Sequence, residues 1–551
     1  MLRLVSLRVL GFRGIGRIDL SPFAPSLPAA AAAAVSDDSG RLASIIGRTN
    51  RGRGAYDQFH DLGSKASITC VRWFSGIRNM SREQSTAYTG LLKKARSVRE
   101  VKNILKTIER DGFIPNVYHY SAAISKCAKK RKLDEAKKVF RHMQQNKVPP
   151  NEFTFNSLID ACANAGKDGE ALKFLREMEG KFELWPDAFS YSSAISACEK
   201  AGNWEKAIEL LREMQNRGIE PDVISYSATI SACEKGGRAA EALDLLIEME
   251  AKSIEPTMIT FAAAISACEK GGAQYTDTAL SLFNEMCNRE IWPDVVTYNA
   301  TISACEKGGA TYTDTVLRLF DEMREYGVEP TVITYNATIS ACEKGGAKYT
   351  QPALALFDEM GQNGVEPTVI TYSALISACG KGGGKYVDIA LRHFDQMKKL
   401  GIDPDKITYT AITKACYDNE IYPEALETTK EAVSRDYAPA LDANGKEWDL
   451  HRLQEAQACM LLADAIISSV ASASFRDILV ITGRGKQSLE GPVLRVKVPA
   501  FLKDLAGPEL TYHIKGGKVN EGAFGITKKA LQKWAKSDDF IPFQALMSDN
   551  G

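Results

Sequence analysis

The sequence predicts a mainly α protein, a solenoid of stacked helix-turn-helix units followed by a small α/β domain. Three observations predict it. A pattern of 35 to 37 residues recurs along residues 117–440, and each copy carries two apolar stripes at helical spacing. The pattern stops after residue 440, where strand-like and helix-like runs begin to alternate.

The period is most easily seen in the cysteines. Nine of the 12 stand at positions 127, 162, 198, 233, 268, 305, 342, 379 and 416, each in the same local sequence. One cysteine per period marks a repeat, not a disulfide scheme, and a buried free thiol packs as a small hydrophobe. There is no close C-x-x-C pair of the kind that holds zinc. Unpaired thiols favour a reducing compartment.

Each element of the unit has a local cause. In 295–305, Val295, Tyr298, Ile302 and Cys305 recur at steps of three and four, which is a helical face. Gly308-Gly309 ends that helix by allowing positive φ. Val316, Leu319, Phe320 and Met323 form the stripe of a second helix, which Gly327 stops. Asp222, Asp294 and Thr331 stand where an N-cap belongs. A single hairpin cannot bury its stripe, so the units must stack. Nine units result: 117–151, 152–187, 188–222, 223–257, 258–294, 295–331, 332–368, 369–405 and 406–440. Residues 81–116 are read as a shorter N-terminal cap, with GFIPN matching the unit ending.

Residues 441–540 read as the α/β domain, and 541–551 as a tail. A helix is expected over 453–470, a strand over 477–482, helical character over 492–505, a strand over 510–515, and then a Gly-Gly turn. Asp449-Leu450-His451 precedes the first helix, and Thr482-Gly483-Arg484-Gly485-Lys486 follows the first strand. The second motif is no Walker A loop, because Val480 stands where that loop needs glycine.

The repeats resemble the pentatricopeptide repeat family: a period near 35, V-x-T-Y-N/S at the start of each unit and G-x-x-P-D/N/T at its end. The W-x-x-L-G-x-x-Y opening of tetratricopeptide repeats is absent. The resemblance implies a right-handed solenoid that binds single-stranded organellar RNA at about one base per repeat. In the family the fifth and last residues of each unit read the base. Carried over, these are Ser121 with Asn151, Asn156 with Asp187, Ser192 with Asp222, and Ser227 with Thr257. Ala262 with Asp294, Asn299 with Thr331, Asn336 with Thr368, Ser373 with Asp405, and Thr410 with Ala440 follow. The family's rule assigns Ser/Asn to adenine, Asn/Asp to uracil, Ser/Asp to guanine and Asn/Thr to a pyrimidine. The expected target is A-U-G-N-N-Y-Y-G-N.

The two motifs near the C-terminus resemble the Smr (small MutS-related) domain, with Trp448 where the family usually has Leu and Arg452 where Gly often follows the His. The resemblance implies nucleic-acid binding and, in some members, endonuclease activity. Asp449 and His451 are then the catalytic candidates. Asp449 orients the imidazole or binds a metal, and His451 moves a proton. Gly483, Arg484, Gly485 and Lys486 would hold a phosphate. A divalent metal is the expected cofactor if the domain cleaves. The alternative is a structural cap ahead of the helix and a loop that only binds RNA.

Charge divides the chain. Sixty-nine basic residues balance 69 acidic ones, but residues 1–80 carry 11 against 5, 81–116 carry 8 against 4, 117–440 carry 36 against 47, and 441–551 carry 14 against 13. The first 80 residues are basic, with Arg3, Arg8, Arg13 and Arg17 among apolar residues, and read as an organelle transit peptide for mitochondrion or chloroplast, with a disordered basic tail as the alternative. In the acidic repeats one lysine recurs two residues after the cysteine: Lys129, Lys200, Lys235, Lys270, Lys307, Lys344 and Lys381. These are candidates for the RNA phosphates, against the plainer reading of a solvated Glu-Lys face. No run of 18 apolar residues is present to span a bilayer, and no small-molecule substrate is expected. The expected function is RNA processing or stabilisation, with accessory proteins as further partners. The alternatives are a non-catalytic RNA-protecting or translation factor, or a protein-binding scaffold. Polar fifth positions argue against the scaffold, because protein grooves need apolar anchors.

Overall fold

The computed structural model describes residues 80–439, 441, 447–450, 453–473, 475–482, 493–515 and 518–547. The expected leader over 1–80 therefore lies outside the described residues, apart from Met80. The chain divides into two compact units, Met1–Ala165 with Glu170–Trp185, and Gly166–Gly169 with Pro186–Gly551.

The first unit consists of helix pairs. The expected cap is a full pair, Arg82–Lys94 and Val98–Arg110, with Ser81 and Ser97 accepting hydrogen bonds from the backbone of their first turns. Val117–Lys129 and Leu133–Gln145 follow, then Glu152–Ala165 and Asp168–Phe182, whose first residues fall in the second unit. Phe140 packs edge-on against Phe155 and Phe174, so each second helix joins its neighbours.

The second unit repeats the design seven times. Its pairs are Ala188–Ala201 with Trp204–Asn216, Val223–Lys235 with Ala239–Ala251, and Met258–Gly271 with Thr276–Asn288. Val295–Gly308 with Thr313–Glu325 and Val332–Gly345 with Thr350–Gln362 come next. Val369–Lys381 with Val387–Lys399 and Lys406–Asp418 with Tyr422–Ser434 complete the array. Asp222, Asp294 and Thr331 are N-caps, as the sequence suggests, and Gly309 and Gly327 have φ of 96° and 71°. The inward stripe is the expected one: Tyr298, Ile302, Cys305, Val316, Leu319, Phe320 and Met323 are all buried. Aromatic contacts cross the units. Phe283 meets Tyr298, Phe320 meets Tyr335, Phe357 meets Tyr372 and Phe394 meets Tyr409, at 5.1 to 5.4 Å. The two residues added in the 37-residue units lengthen the link between the helices, which forms a three-residue 3-10 turn such as Ala310–Tyr312. The threonine after it reaches the next repeat: Thr313 Oγ1 donates to the Ala341 carbonyl at 3.1 Å.

Among the described residues the α/β domain has four strands, β1 (Glu447–Asp449), β2 (Ile478–Ile481), β3 (Thr511–Lys515) and β4 (Lys518–Ile526), in the order β1-β2-β4-β3. β1 and β2 are parallel, and helix Glu455–Ala471 makes the crossover between them. Helix Val493–Asp504 links β2 to β3, with Pro499 inside it, and β3 and β4 are antiparallel. The expected helices and strands are present, and the expected Gly-Gly turn lies outside the described residues. The short β1, β4 and the helices Lys528–Trp534 and Phe540–Leu546 are additions. Trp448, Ile466, Val480, Ile526 and Trp534 belong to a core that runs without a break into Tyr409, Cys416 and Leu426 of the last repeat.

Candidate functional site

The first helix of each repeat begins with the same short geometry. Its last-position residue from the preceding repeat is the N-cap, and its third residue closes the cap. Asp405 Oδ1 accepts from the Thr408 amide and hydroxyl, both at 2.8 Å. The third residue also reaches back to the fifth residue of the preceding repeat. Ser373 Oγ and Thr408 Oγ1 share a hydrogen bond at 2.7 Å. The fifth and last residues of one repeat are therefore joined through the third residue of the next.

This trio recurs where the fifth residue is polar. Ser121 meets Thr154 at 2.7 Å, and Thr154 donates to Asn151 at 2.8 Å. Ser192 meets Ser225, which donates to Asp222 at 2.7 Å. Ser227 meets Thr260, and Thr260 meets Thr257. With asparagine the contact becomes direct as well: Asn299 Nδ2 donates to Thr331 Oγ1 at 3.3 Å while Thr334 Oγ1 donates to Asn299 Oδ1 at 2.6 Å. Asn336 repeats this with Thr368 and Thr371. Ala262 has no polar atom for such a bond, and Asp294 instead caps its own helix through Thr297. Asn156 and Asp187 lie in different compact units. Asn156 is buried, and Asp187 caps through Ser190. Thr410 donates to the Lys406 carbonyl, and Ala440 lies outside the described residues.

The same helices also carry exposed apolar side chains. Their second residues are Tyr118 and Phe153 in the first compact unit. In the second they are Phe189, Ile224, Ile259, Val296, Ile333, Ile370 and Ile407. All are 54 to 68% exposed. A residue three positions before another on a helix lies on the same face, so each apolar side chain stands one turn from its fifth-position residue. The signal was available: these positions are apolar in all nine units yet out of phase with the buried stripe, where a solvated face would be polar.

The lysine column is engaged between repeats. Lys235 pairs with Glu199 at 2.6 Å, Lys270 with Glu234, and Lys307 with Glu269 at 2.5 Å. Lys344 pairs with Glu306 at 2.6 Å, and Lys381 with Glu343 at 2.5 Å. Each lysine thus meets the glutamate of the repeat before it, and the lysine side chain stays 37 to 42% exposed. Lys129 and Lys200 are exposed. The nine cysteines are fully buried. Burial raises Cys342 and Cys379 to about 12, so these thiols stay protonated and inert at neutral pH.

In the α/β domain the two motifs leave the sheet side by side. Asp449, exposed, ends β1 in register with Ile481, which ends β2, and the Leu450 amide donates to the Ile481 carbonyl at 2.8 Å. Thr482 follows and is buried. Carboxyl ends of adjacent parallel strands are a favoured place for ligand-binding loops. Trp448 fills the core completely, which accounts for a large side chain there. His451, Gly483, Arg484, Gly485 and Lys486 lie outside the described residues. Among the described residues no group of three or more His, Cys, Asp or Glu side chains is placed to hold a metal ion, and no helix is long and apolar enough to cross a membrane.

Fold and motifs define a class, a helical-hairpin repeat protein with an appended α/β domain. The model for the pentacotripeptide-repeat region of PRORP matches residues 94–246, that for the pentatricopeptide repeat domain matches 281–344, 346–382 and 384–419, and that for the Smr domain matches 448–532. The chain is a pentatricopeptide repeat protein with a C-terminal Smr domain. Solved structures similar to it include maize PPR10, at 22% identity, 71% of this chain, 57% of that chain and a TM-score of 0.40. PPR10 in complex with an 18-nt psaJ RNA element gives 20%, 70%, 58% and 0.48. Yeast Rmd9p in complex with a 16-nt target RNA gives 12%, 71%, 85% and 0.29. This chain therefore spans less than two thirds of the PPR10 chain. No curated protein matches it.

Proposed function

We propose that the protein is an organellar, sequence-specific single-stranded RNA-binding protein that acts in RNA processing or stabilisation. One observation carries this reading. Each repeat sets an exposed apolar side chain, as at Ile370, one helical turn from a fifth-position residue, and most of these are polar and held by hydrogen bonds, as Ser373 is with Thr408. An apolar or aromatic surface beside a hydrogen-bonding edge is what an unstacked base requires. A fixed hydroxyl or amide discriminates better than a mobile one, because its orientation is set before the base arrives.

The Smr domain would act on the bound strand. Asp449 orients His451, His451 takes a proton from a 2′-hydroxyl or water, and the Gly483–Lys486 loop holds the phosphate with Arg484 and Lys486. A divalent metal, if one is used, would stabilise charge on that phosphate. The basic leader over residues 1–80 would carry the chain into the organelle, and a fluorescent fusion of those residues that stays in the cytosol removes this part.

The test of the central reading is selection of RNA from a randomised pool by the full chain, followed by Ser373→Asn. The family's rule expects the eighth base preference to move from guanine to uracil with the other positions unchanged. The pocket accepts the change, since Asn299 and Asn336 occupy the same place beside a threonine hydroxyl. An unmoved preference shows that the register is wrong.

A further inference from the structure

The two ends of the repeat array differ in charge. Residues 81–147 carry 17 basic against 6 acidic side chains, while 148–440 carry 27 against 45. Much of the excess sits on one edge of the first compact unit. Helices Arg82–Lys94 and Val117–Lys129 both end in lysines, Lys93 with Lys94 and Lys126 with Lys129. Lys126 Nζ donates to the Lys93 carbonyl at 2.9 Å, which holds the two helix ends side by side. The chain continues as Lys130-Arg131-Lys132. Lys94, Lys129, Lys130, Arg131 and Lys132 are exposed, and the last four make no ion pair among the described residues.

Two details set this edge apart from the same turn in later repeats. In the ladder described above, each lysine is neutralised by the preceding repeat's glutamate, whereas Lys93 holds the place of that glutamate in the pair before Lys129, and Lys129 has no such partner among the described residues. Arg131 also takes left-handed backbone, φ 54°, at the position held by Gly166, Gly202 and Gly237 in the next three repeats. An L-residue adopts that conformation at a cost, so the cation is placed against the local preference. The last repeat has Glu420 at this position, φ 64°, so the two ends carry opposite charge there.

We propose that the 93–96 and 126–132 edge is a second RNA site, which binds the phosphate backbone flanking the read segment without regard to base. This rests on the RNA-binding reading and adds to it a non-specific anchor at the N-terminal end. Consecutive unpaired cations suit a chain of phosphates. No large apolar side chain is exposed within 125–132 to anchor a folded protein partner.

The test uses the full chain and a Lys94→Gln/Lys130→Gln/Arg131→Gly/Lys132→Gln variant. Glycine at 131 restores the residue that the backbone favours, and circular dichroism checks that both proteins fold. Affinity is measured by fluorescence anisotropy for the selected core RNA and for the same core extended by ten uridines at either end. One extension strengthens wild-type binding about tenfold, and the variant loses that gain while binding the bare core as wild type does. Its salt slope on the extended RNA falls by up to about 3, at roughly 0.7 per single-strand phosphate. The proposal is overturned if neither extension helps the wild type, or if the variant keeps the gain. It is also overturned if polyglutamate displaces the extension as well as RNA of equal charge, which would mark an acidic polypeptide site. Base reading is judged separately, on the bare core and Ser373→Asn. If that fails while the extension effect is lost in the variant, the edge stands and the reading falls.

Discussion

At the scale of residues, the third-position hydroxyl of a first helix, as at Thr154, Ser225, Thr260, Thr334, Thr371 and Thr408, joins a fifth-position side chain to a last-position one. Thr334, fully buried, donates to Asn299 Oδ1 and accepts from the Thr331 amide at 2.9 Å. Thr334→Val keeps the shape and removes these bonds together with the one to Thr331 Oγ1 at 3.2 Å. It is expected to cost about 1–2 kcal/mol in urea unfolding and to weaken discrimination at the sixth base, measured on a panel of four RNAs. Glu248 shows the electrostatics. Burial works to raise its pKa, but hydrogen bonds from Arg212, Tyr226, Gln215 and Lys252 prevail and hold it at about 2, against 4.5 ordinarily. A lowered carboxylate stabilises the fold above its ordinary value and loses that contribution as pH falls from about 4.5 towards 2. Glu248→Gln is therefore expected to flatten the pH dependence of melting temperature over that interval, and an unchanged slope would contradict the assignment.

At the scale of elements, the helix pairs are joined by periodic contacts that the sequence pattern only partly exposes. Helix positions and their stops follow from apolar steps, caps and glycines that act within one unit, so Gly309, Gly327, Asp294 and Thr331 could be assigned from the chain alone. The Lys-Glu ladder could not, because Lys344 and Glu306 are separated by a full repeat and meet only when the hairpins stack. Exposed pairs of this kind each contribute about 0.2–1 kcal/mol and weaken with salt. A double-mutant cycle with Glu306→Gln and Lys344→Gln should give a coupling below about 1 kcal/mol that vanishes in 1 M KCl. The same cycle measured as RNA affinity tells whether phosphate displaces the carboxylate. If it does, Glu306→Gln alone tightens binding.

At the scale of the whole molecule, the last repeat and the Smr domain share one core. Tyr417 lies 5.8 Å from Phe501 and donates to Cys459 Sγ at 3.4 Å, Tyr422 lies 6.0 Å from Phe501, and Lys430 pairs with Asp464 at 2.8 Å. Such a junction packs the Smr domain and the last repeat together. Phe501→Ala removes the ring at its centre and is expected to cost about 3–5 kcal/mol. Calorimetry should then resolve a separate, earlier transition for the Smr domain, and a single unshifted transition would show that the ring does not couple them.

The sequence by itself determined the repeat, its helices and caps and the buried cysteine column, because each depends on neighbours within one period. It also held the two Smr motifs, but not that β1 and β2 run parallel and release them from adjacent strand ends. Tertiary structure alone decided which polar residues form trios across repeats and which lysines are neutralised. Those outcomes depend on contacts between residues a period apart, and stacking geometry selects among them where local periodicity does not.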